Sequence, residues 1–297
     1  MGADTMKRED IAFYSEGCRL SGHLYLPDDG GDGKPKPAIV LAHGFTGVKE
    51  MLLPDFATSF ADQGWIALTF DYRGFGTSEG QRGRLLAPDQ VEDIRNAVTY
   101  ARTRSEVDPE RIGLWGTSYG CGLVVQAAAA DDRVKAVVAQ IGIADGRTSL
   151  TRSLGEQQIE GLKAMVEQDR KQRVQTGHGT YVDPFTVIPD PEMKATFEKH
   201  FAELPHLKTQ ITLQFIEAHM EFSPISVVDR ISPRALLIIA AEHDVICPAD
   251  ELKRMYDRAG DPKRFALLDG LTHFQCYEGQ GLERASAEAI EWYKAHL

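Results

Sequence analysis

One serine stands between two glycines at a point where an apolar run changes character. The stretch "GLWGTSYGCG", residues 113–122, continues the apolar run "RIGLW" and precedes "LVVQAAAA", so a buried strand is predicted to become a buried helix at Ser118. The spacing G-x-S-x-G is typical of a nucleophile elbow, in which flanking glycines let strand and helix approach closely around a strained turn. The pattern predicts Ser118 as a nucleophile; the plain alternative is a glycine-rich helix start.

A serine hydroxyl becomes a good nucleophile only when a base takes its proton and an acid orients that base. The chain order expected with such an elbow is serine, then acid, then histidine. Asp244 follows the run "RALLIIA", and His273 follows the run "RFALLD", each in a loop beyond a predicted strand. Glu242 competes for the acid role, but Asp244 stands further beyond the strand end. The sequence therefore predicts a triad of Ser118, Asp244 and His273.

The intermediate of such a reaction carries an oxyanion, which backbone N–H groups at fixed positions stabilise. The segment "AHGFTG" follows the first predicted parallel strand, and the N–H groups of Phe45 and Tyr119 are predicted to converge on the oxyanion. The alternative for "HGFTG" is an ordinary glycine turn. His43 is predicted to brace this loop. Six other histidines are predicted to be surface or packing residues: His23, His178, His200, His206, His219 and His296.

The elements around these residues predict an α/β fold. "DIAFYSEGCRLSGHLYLP" alternates in polarity around a Glu-Gly turn, which indicates an antiparallel hairpin. Later runs are continuously apolar and alternate with amphipathic helices, which indicates a mostly parallel, doubly wound sheet. The predicted core covers residues 1–144 and 231–297.

Residues 145–230 form a predicted insertion, since a single crossover helix needs far fewer residues. Three helices are expected in it: through "EQQIEGLKAMVEQDRKQ", after Asp190-Pro191, and through "TQITLQFIEAHM". The insertion leaves the sheet at its carboxyl edge, where the elbow presents the serine, so it is predicted to form a helical lid. Its bulky apolar side chains are expected partly to roof the pocket and partly to pack the lid itself: Met165, Met193, Phe197, Phe201, Phe215 and Met220.

Composition excludes several classes of function. A formal charge of −11 argues against a nucleic-acid partner, and no apolar run is long enough to span a membrane. The four cysteines contain no CxxC pair, "EHD" lacks companion metal ligands, and "GFGTSE" lacks the third glycine of a dinucleotide loop. We expect a cytoplasmic protein with a small-molecule substrate, no metal and no cofactor; homo-oligomerisation stays open.

Five segments together resemble the α/β-hydrolase superfamily: "HGFTG", "DYRGFGTSEG", "GTSYG", "EHDVICP" and "LTHF". The resemblance runs from the hairpin to the final helix, interrupted by the insertion. Within the superfamily the chain looks most like the serine esterases and the X-Pro dipeptidyl-peptidase-like or dienelactone-hydrolase-like branches. Ser118 departs from the aspartate nucleophile of dehalogenases and epoxide hydrolases, and from the cysteine of dienelactone hydrolases.

The resemblance implies a serine hydrolase that cleaves small or medium carboxylic esters through an acyl-enzyme intermediate. A peptidase, a thioesterase or an acyltransferase of the same fold is the alternative within the enzymes. A protein of this fold that only binds a ligand is the alternative outside them.

Overall fold

An eight-stranded sheet organises the chain, and its strands run in the order β1-β2-β4-β3-β5-β6-β9-β10. The computed structural model describes residues 7–28 and 33–297, so residues 29–32 of "PDDGGDGKPKP", the predicted turn between hairpin and sheet, lie outside the described residues. A separate two-stranded ribbon pairs β7 with β8. The strands are β1 (Lys7–Ser15), β2 (Cys18–Leu26), β3 (Lys36–Ala42), β4 (Ile66–Phe70), β5 (Val107–Thr117), β6 (Val134–Gln140), β7 (Tyr181–Val182), β8 (Ile211–Thr212), β9 (Ala235–Ala241) and β10 (Lys263–Leu268).

Helices connect these strands and cover both faces of the sheet. They are α1 (Pro54–Ala61), α2 (Ala87–Thr103), α3 (Tyr119–Ala129), α4 (Gly146–Thr176), α5 (Pro184–Val187), α6 (Pro191–His200), α7 (Gln214–Glu221), α8 (Ala249–Arg258) and α9 (Gly279–His296). Short 3₁₀ turns occupy Pro205–Leu207, Pro224–Ser226, Val228–Ile231 and Phe274–Tyr277. Within the described part of the chain, no helix is both long and apolar enough to cross a membrane.

The strand pairing confirms the predicted α/β fold. Strands β3 to β6, β9 and β10 run parallel, and β4 and β9 are buried along their whole length. Their continuous apolar runs reflect this, because helices cover the sheet on both faces. The hairpin β1–β2 is antiparallel and joins the sheet at β4. Its turn uses Glu16 and Gly17 at φ 47° and 81°, the left-handed values that a tight hairpin turn needs.

The segment between β6 and β9 carries the insertion, and its helices differ in part from the expected ones. Helix α4 starts at Gly146, ten residues before the predicted segment, because Asp145 accepts a hydrogen bond from the Thr148 N–H at 2.9 Å and caps it. Gly155, at φ 73°, kinks α4 in its first half. Helix α6 starts as predicted, with the Asp190 carboxylate accepting from Met193 N at 2.7 Å. The short α5 and the β7–β8 ribbon were not predicted.

Large aromatic side chains fill one face of the sheet. Phe60 on α1 is fully buried and contacts Trp65, Trp115 and Tyr293 with ring centroids 5.7–6.5 Å apart. Rings in tilted and edge-to-face arrangements add to the free energy of burial. This cluster therefore ties α1 and α9 to the strand that ends at the serine turn.

We predict that Phe60→Ala lowers the free energy of unfolding by about 3–5 kcal/mol, because it empties a packed site. Tyr14→Ala, at a side chain that is 70% exposed, should change it by about 0.5 kcal/mol at most. Urea denaturation followed by circular dichroism measures both. Equal effects of the two substitutions would contradict the packing described here.

Candidate active site

Ser118 occupies a strained turn between β5 and α3. Its φ of 55° and ψ of −124° are unfavourable for a residue with a side chain, so the surrounding structure must hold them. The Ser118 N–H donates to the Gln140 carbonyl at 3.0 Å, and the Cys121 N–H donates back to the Ser118 carbonyl at 3.0 Å. A Cβ on Gly116 would lie 2.3 Å from the Gly120 carbonyl oxygen. Only glycine fits there, which is what an elbow requires.

The structure brings His273 and Asp244 to this serine. His273 lies in the loop after β10, and Asp244 in the loop after β9; both are buried. The His273 Nδ1–H donates to Asp244 Oδ2 at 2.7 Å, because a carboxylate only accepts. The other ring nitrogen, Nε2, is then the acceptor, and it lies 3.1 Å from Ser118 Oγ. The three side chains form one continuous hydrogen-bonded series.

The Asp244 carboxylate is held by its own loop. Its Oδ1 accepts from the N–H groups of Ile246 at 2.9 Å and Cys247 at 2.7 Å, which leaves Oδ2 for the imidazole. Glu242 is placed differently: its Oε2 accepts from the Gly270 N–H at 2.7 Å, and its side chain is 46% exposed. Among the hydrogen bonds of the described residues, none joins Glu242 to His273. The geometry therefore favours Asp244 as the partner of the histidine.

The loop that carries Phe45 closely approaches the serine turn. A Cβ on Gly44 would lie 2.7 Å from the Cβ of Ser118, so the loop needs glycine at this contact. Within residues 7–28 and 33–297, neither the Phe45 N–H nor the Tyr119 N–H donates to another backbone group. Burial lowers the pKa of His43, and the neutral ring donates Nδ1–H to the Gly44 carbonyl at 3.0 Å. His43 thus braces the loop.

A buried ion pair connects this loop to the one after β4. Asp71 is fully buried and accepts from the Lys49 N–H and the Lys49 Nζ, both at 2.8 Å, and from the Thr77 N–H at 2.9 Å. Burial alone would lower the pKa of Lys49, but the adjacent carboxylates of Asp71 and Glu50 raise it above its usual value. A charged pair this well hydrogen-bonded holds both loops in one arrangement.

Two cavities meet at Ser118. The larger cavity, of about 240 Å³, is lined by residues of the serine turn, the insertion and the loop after β9: Phe45, Ser118, Tyr119, Ile143, Ser149, Leu150, Ser153, Val187, Ile188, Pro189, Asp190, Phe215, His219, Val245, Ile246 and Cys247. The smaller cavity, of about 50 Å³, is lined by residues that include His43, Phe45, Met51, Leu52, Leu53, Ser118, Ile188, Met193, Phe197, Ile246, His273, Phe274 and Tyr277. The insertion contributes to both cavities.

The structure places the bulky side chains of the insertion unevenly. Met193 and Phe197 line the smaller cavity, and Phe215 lines the larger one. Met165 is half exposed, and Phe201 and Met220 pack against the core away from both cavities. Sequence reasoning missed Ser149 and interpreted His219 as a surface or packing residue, although both line the larger cavity. Nothing in their sequence context separates them from ordinary polar helix residues.

Donor atoms of Asp244, Cys247 and His273 lie within 4.8 Å of one another. Two of these groups already bond to each other, since His273 Nδ1–H donates to Asp244. Burial and the nearby Asp244 carboxylate raise the pKa of the Cys247 thiol well above its usual value, so the thiol stays neutral. A cysteine binds a metal as the thiolate, and a carboxylate must have an oxygen free to coordinate the metal. The cluster fits a proton-transfer site better than a metal site.

Fold and site together define an α/β hydrolase. The chain belongs to the serine aminopeptidase family S33, whose family model matches residues 33–280. The quorum-quenching protein AidA of Acinetobacter baumannii is 30% identical, over 96% of this chain and 94% of its own length. The thiohydrolase aneE of Aspergillus aculeatus is 28% identical, over 90% and 86%. The crystal structure of the α/β hydrolase GrgF from Penicillium superposes with a TM-score of 0.84, at 26% identity, over 98% and 99%.

We predict that Asp244→Asn lowers kcat on the order of 10³ to 10⁴-fold, because an amide can hold the ring in the wrong tautomer. Glu242→Gln should leave kcat close to that of the parent, because the Glu242 carboxylate bonds the Gly270 N–H and lies near the His243 ring rather than His273. Steady-state kinetics on an activated ester compares the two. The assignment of the acid is reversed if Glu242→Gln is crippled and Asp244→Asn is mild.

Proposed function

We propose that the protein is a serine hydrolase that cleaves small or medium carboxylic esters through an acyl-enzyme intermediate. The observation that carries the proposal is the hydrogen-bonded series from Asp244 through His273 to Ser118. Each member has the donor or acceptor that its role requires, and the nucleophile sits on an elbow. A net charge of −11 also favours a small acyl substrate over a nucleic acid.

In the first half of the reaction Ser118 Oγ attacks the substrate carbonyl carbon while its proton passes to His273 Nε2. The carbonyl oxygen becomes an oxyanion, and the N–H groups of Phe45 and Tyr119 are the donors proposed to stabilise it. The imidazolium is stabilised by Asp244, which is buried and so interacts with it strongly. The bond to the leaving group then breaks, and His273 returns the proton to the departing oxygen.

In the second half a water molecule attacks the acyl-enzyme. His273 takes one proton from the water and, as the second tetrahedral intermediate collapses, gives it to Ser118 Oγ. The same two N–H groups hold the oxyanion again. The products are the free acid and the regenerated serine, so the cycle needs no group beyond those in the chain.

Esters are proposed first because an alcohol leaves more easily than an amine. Thioesters are the second candidate, and one observation favours them: the relative aneE, with which the chain aligns over 90% of its length, is named a thiohydrolase. Acyl transfer uses the same acyl-enzyme with another acceptor in place of water, and peptide cleavage uses a harder leaving group. A panel of matched esters, thioesters and aminoacyl amides ranks these activities by kcat/KM.

We predict that Ser118→Ala lowers ester turnover about 10³-fold or more while the protein stays folded. The variant should also fail to react with a fluorophosphonate probe, which mass spectrometry follows on the intact protein. Ser59→Ala is the matched control, because the Ser59 hydroxyl only bonds the Asp55 carbonyl on α1. Near-parental turnover by Ser118→Ala would rule out the mechanism.

We also predict that kcat/KM rises and then falls as the acyl chain of p-nitrophenyl esters lengthens. Both cavities are bounded by the insertion, so a long chain or a folded protein should not fit. A triglyceride emulsion and casein should be poor substrates in the same assay. A steady increase up to the longest chains, or efficient cleavage of casein, would show that the insertion does not enclose the site.

A further inference from the structure

The two cavities at Ser118 are not equivalent, because only the smaller one is lined by His273. If the proposed function holds, the leaving group must receive its proton from His273 Nε2 and so departs on that side. The larger cavity is then the space that remains for the acyl group during hydrolysis at Ser118. Side chains of the larger cavity then select the acyl chain, an assignment that rests on the proposed function.

The larger cavity has a mostly apolar wall that contains polar groups without partners among the described residues. Ser149 is 8% exposed, and its hydroxyl makes no hydrogen bond within the described residues. His219 is 6% exposed, and its Nδ1 has no partner there; the same holds for the hydroxyl of Tyr119, which is 3% exposed. Buried polar atoms such as His219 Nδ1 and the Tyr119 hydroxyl are normally paired, and an unpaired one destabilises the protein.

Neighbouring polar groups of this cavity are already used. Ser153 lies one turn after Ser149 on α4, and its hydroxyl donates to the Ser149 carbonyl at 3.0 Å. Asp190 accepts from Met193 N and caps α6. The groups without a partner therefore lie on α4 and α7, which pack against each other, and on α3. They are Ser149 from α4, His219 from α7 and Tyr119 from α3, whose ring lies 5.7 Å from that of His219.

We infer that the larger cavity is the acyl site and that Ser149 and His219 are specificity-determining residues for an acyl chain bearing a hydroxyl or ketone oxygen. Either oxygen can accept from the Ser149 hydroxyl or from the His219 ring, and a hydroxyl can also donate to them. A plain hydrocarbon chain would leave these groups unpaired. The oxygen-bearing chain therefore binds better in the transition state than a matched alkyl chain.

The oxygen substituent is expected to be uncharged. Burial lowers the pKa of His219 from 6.5 to about 4, so its ring is neutral at pH 7 and offers no cation to an acid group. The Asp190 carboxylate on the same wall would repel an anion.

The test compares p-nitrophenyl octanoate with octanoates that carry a hydroxyl or a ketone at successive carbons. The measured quantity is the ratio of kcat/KM for each oxygenated ester to that of the plain ester. At the best position this ratio should reach about tenfold, the value of one hydrogen bond of about 1.4 kcal/mol. Ser149→Ala and His219→Phe should each reduce it to about twofold or less, and His219→Gln should restore part of it.

Thr151→Ala is the matched control, because it removes a hydroxyl from the same helix that lines neither cavity and donates to the Arg147 carbonyl at 2.8 Å. Its ratio should stay at about tenfold. All variants are first titrated with the fluorophosphonate probe, so that kcat is calculated from the concentration of folded, reactive protein alone. If His219→Phe does not fold, Ser149→Ala carries the test alone.

A second arm tests the assignment of the two cavities. Met193 lines only the smaller cavity, so Met193→Ala should raise kcat/KM for esters of bulky alcohols and leave the ratio for oxygenated acyl chains unchanged. A shift in the acyl preference instead would reverse the assignment.

Three further outcomes are decisive. A parent enzyme that shows no preference for any oxygenated chain overturns the inference, and so does a preference that survives both Ser149→Ala and His219→Phe. In both cases the proposed function still stands if Ser118 is labelled and plain esters are cleaved. Failure of the labelling together with absence of turnover on every ester overturns the proposed function itself.

Discussion

The backbone of Ser118 is the constraint on which the rest of the site depends. A left-handed φ of 55° at a residue with a side chain persists only where the surroundings leave no alternative. Here the strand β5, the first turn of α3 and the loop at Gly44 approach the serine so closely that side chains could not be accommodated at the neighbouring glycines. The strained residue is Ser118 itself, which presents the hydroxyl, and the packing of the large buried sheet compensates for the strain.

Electrostatic interactions also position the site, because each of two buried carboxylates organises a loop. Asp244 accepts from two backbone N–H groups and the imidazole, which makes its charge both fixed and neutralised in part. Asp71 likewise accepts hydrogen bonds from the Lys49 N–H, the Lys49 Nζ and the Thr77 N–H. A buried charge without such partners would cost several kcal/mol. Each buried charge therefore favours the loop arrangement that supplies its hydrogen-bond partners.

Prediction from sequence worked where the physics is local. Continuous apolar runs can be recognised as parallel strands, and the glycines around Ser118 reveal the turn without any tertiary information. Asp244 and His273 each follow the end of a predicted parallel strand. Because the carboxyl ends of parallel strands lie at the same edge of a sheet, both residues could be placed at that edge. The family and the fold are confirmed; the roles of these residues and the division into core and lid stay predictions.

Prediction failed where tertiary contacts decide. Helix α4 starts early because of the cap at Asp145, and it kinks at Gly155. Neither feature is visible in the hydrophobic periodicity of the sequence. Ser149 and His219 resemble solvent-facing helix residues in composition, yet α4 and α7 turn them inward. The part of the cavity wall that carries them forms only when these two helices, which are separate in sequence, pack against each other.

The path of the chain into and out of the insertion has an evolutionary consequence. The Gly146 N–H donates to the Phe222 carbonyl at 2.7 Å, and the Ile225 N–H donates to the Ala144 carbonyl at 3.0 Å, so the segment departs and returns at one point. Lengthening a segment whose ends already meet costs little closure entropy. New helices could thus be grafted there without disturbing the sheet register. Exchange of this one segment would change the walls of both cavities and leave the sheet and the serine turn as they are.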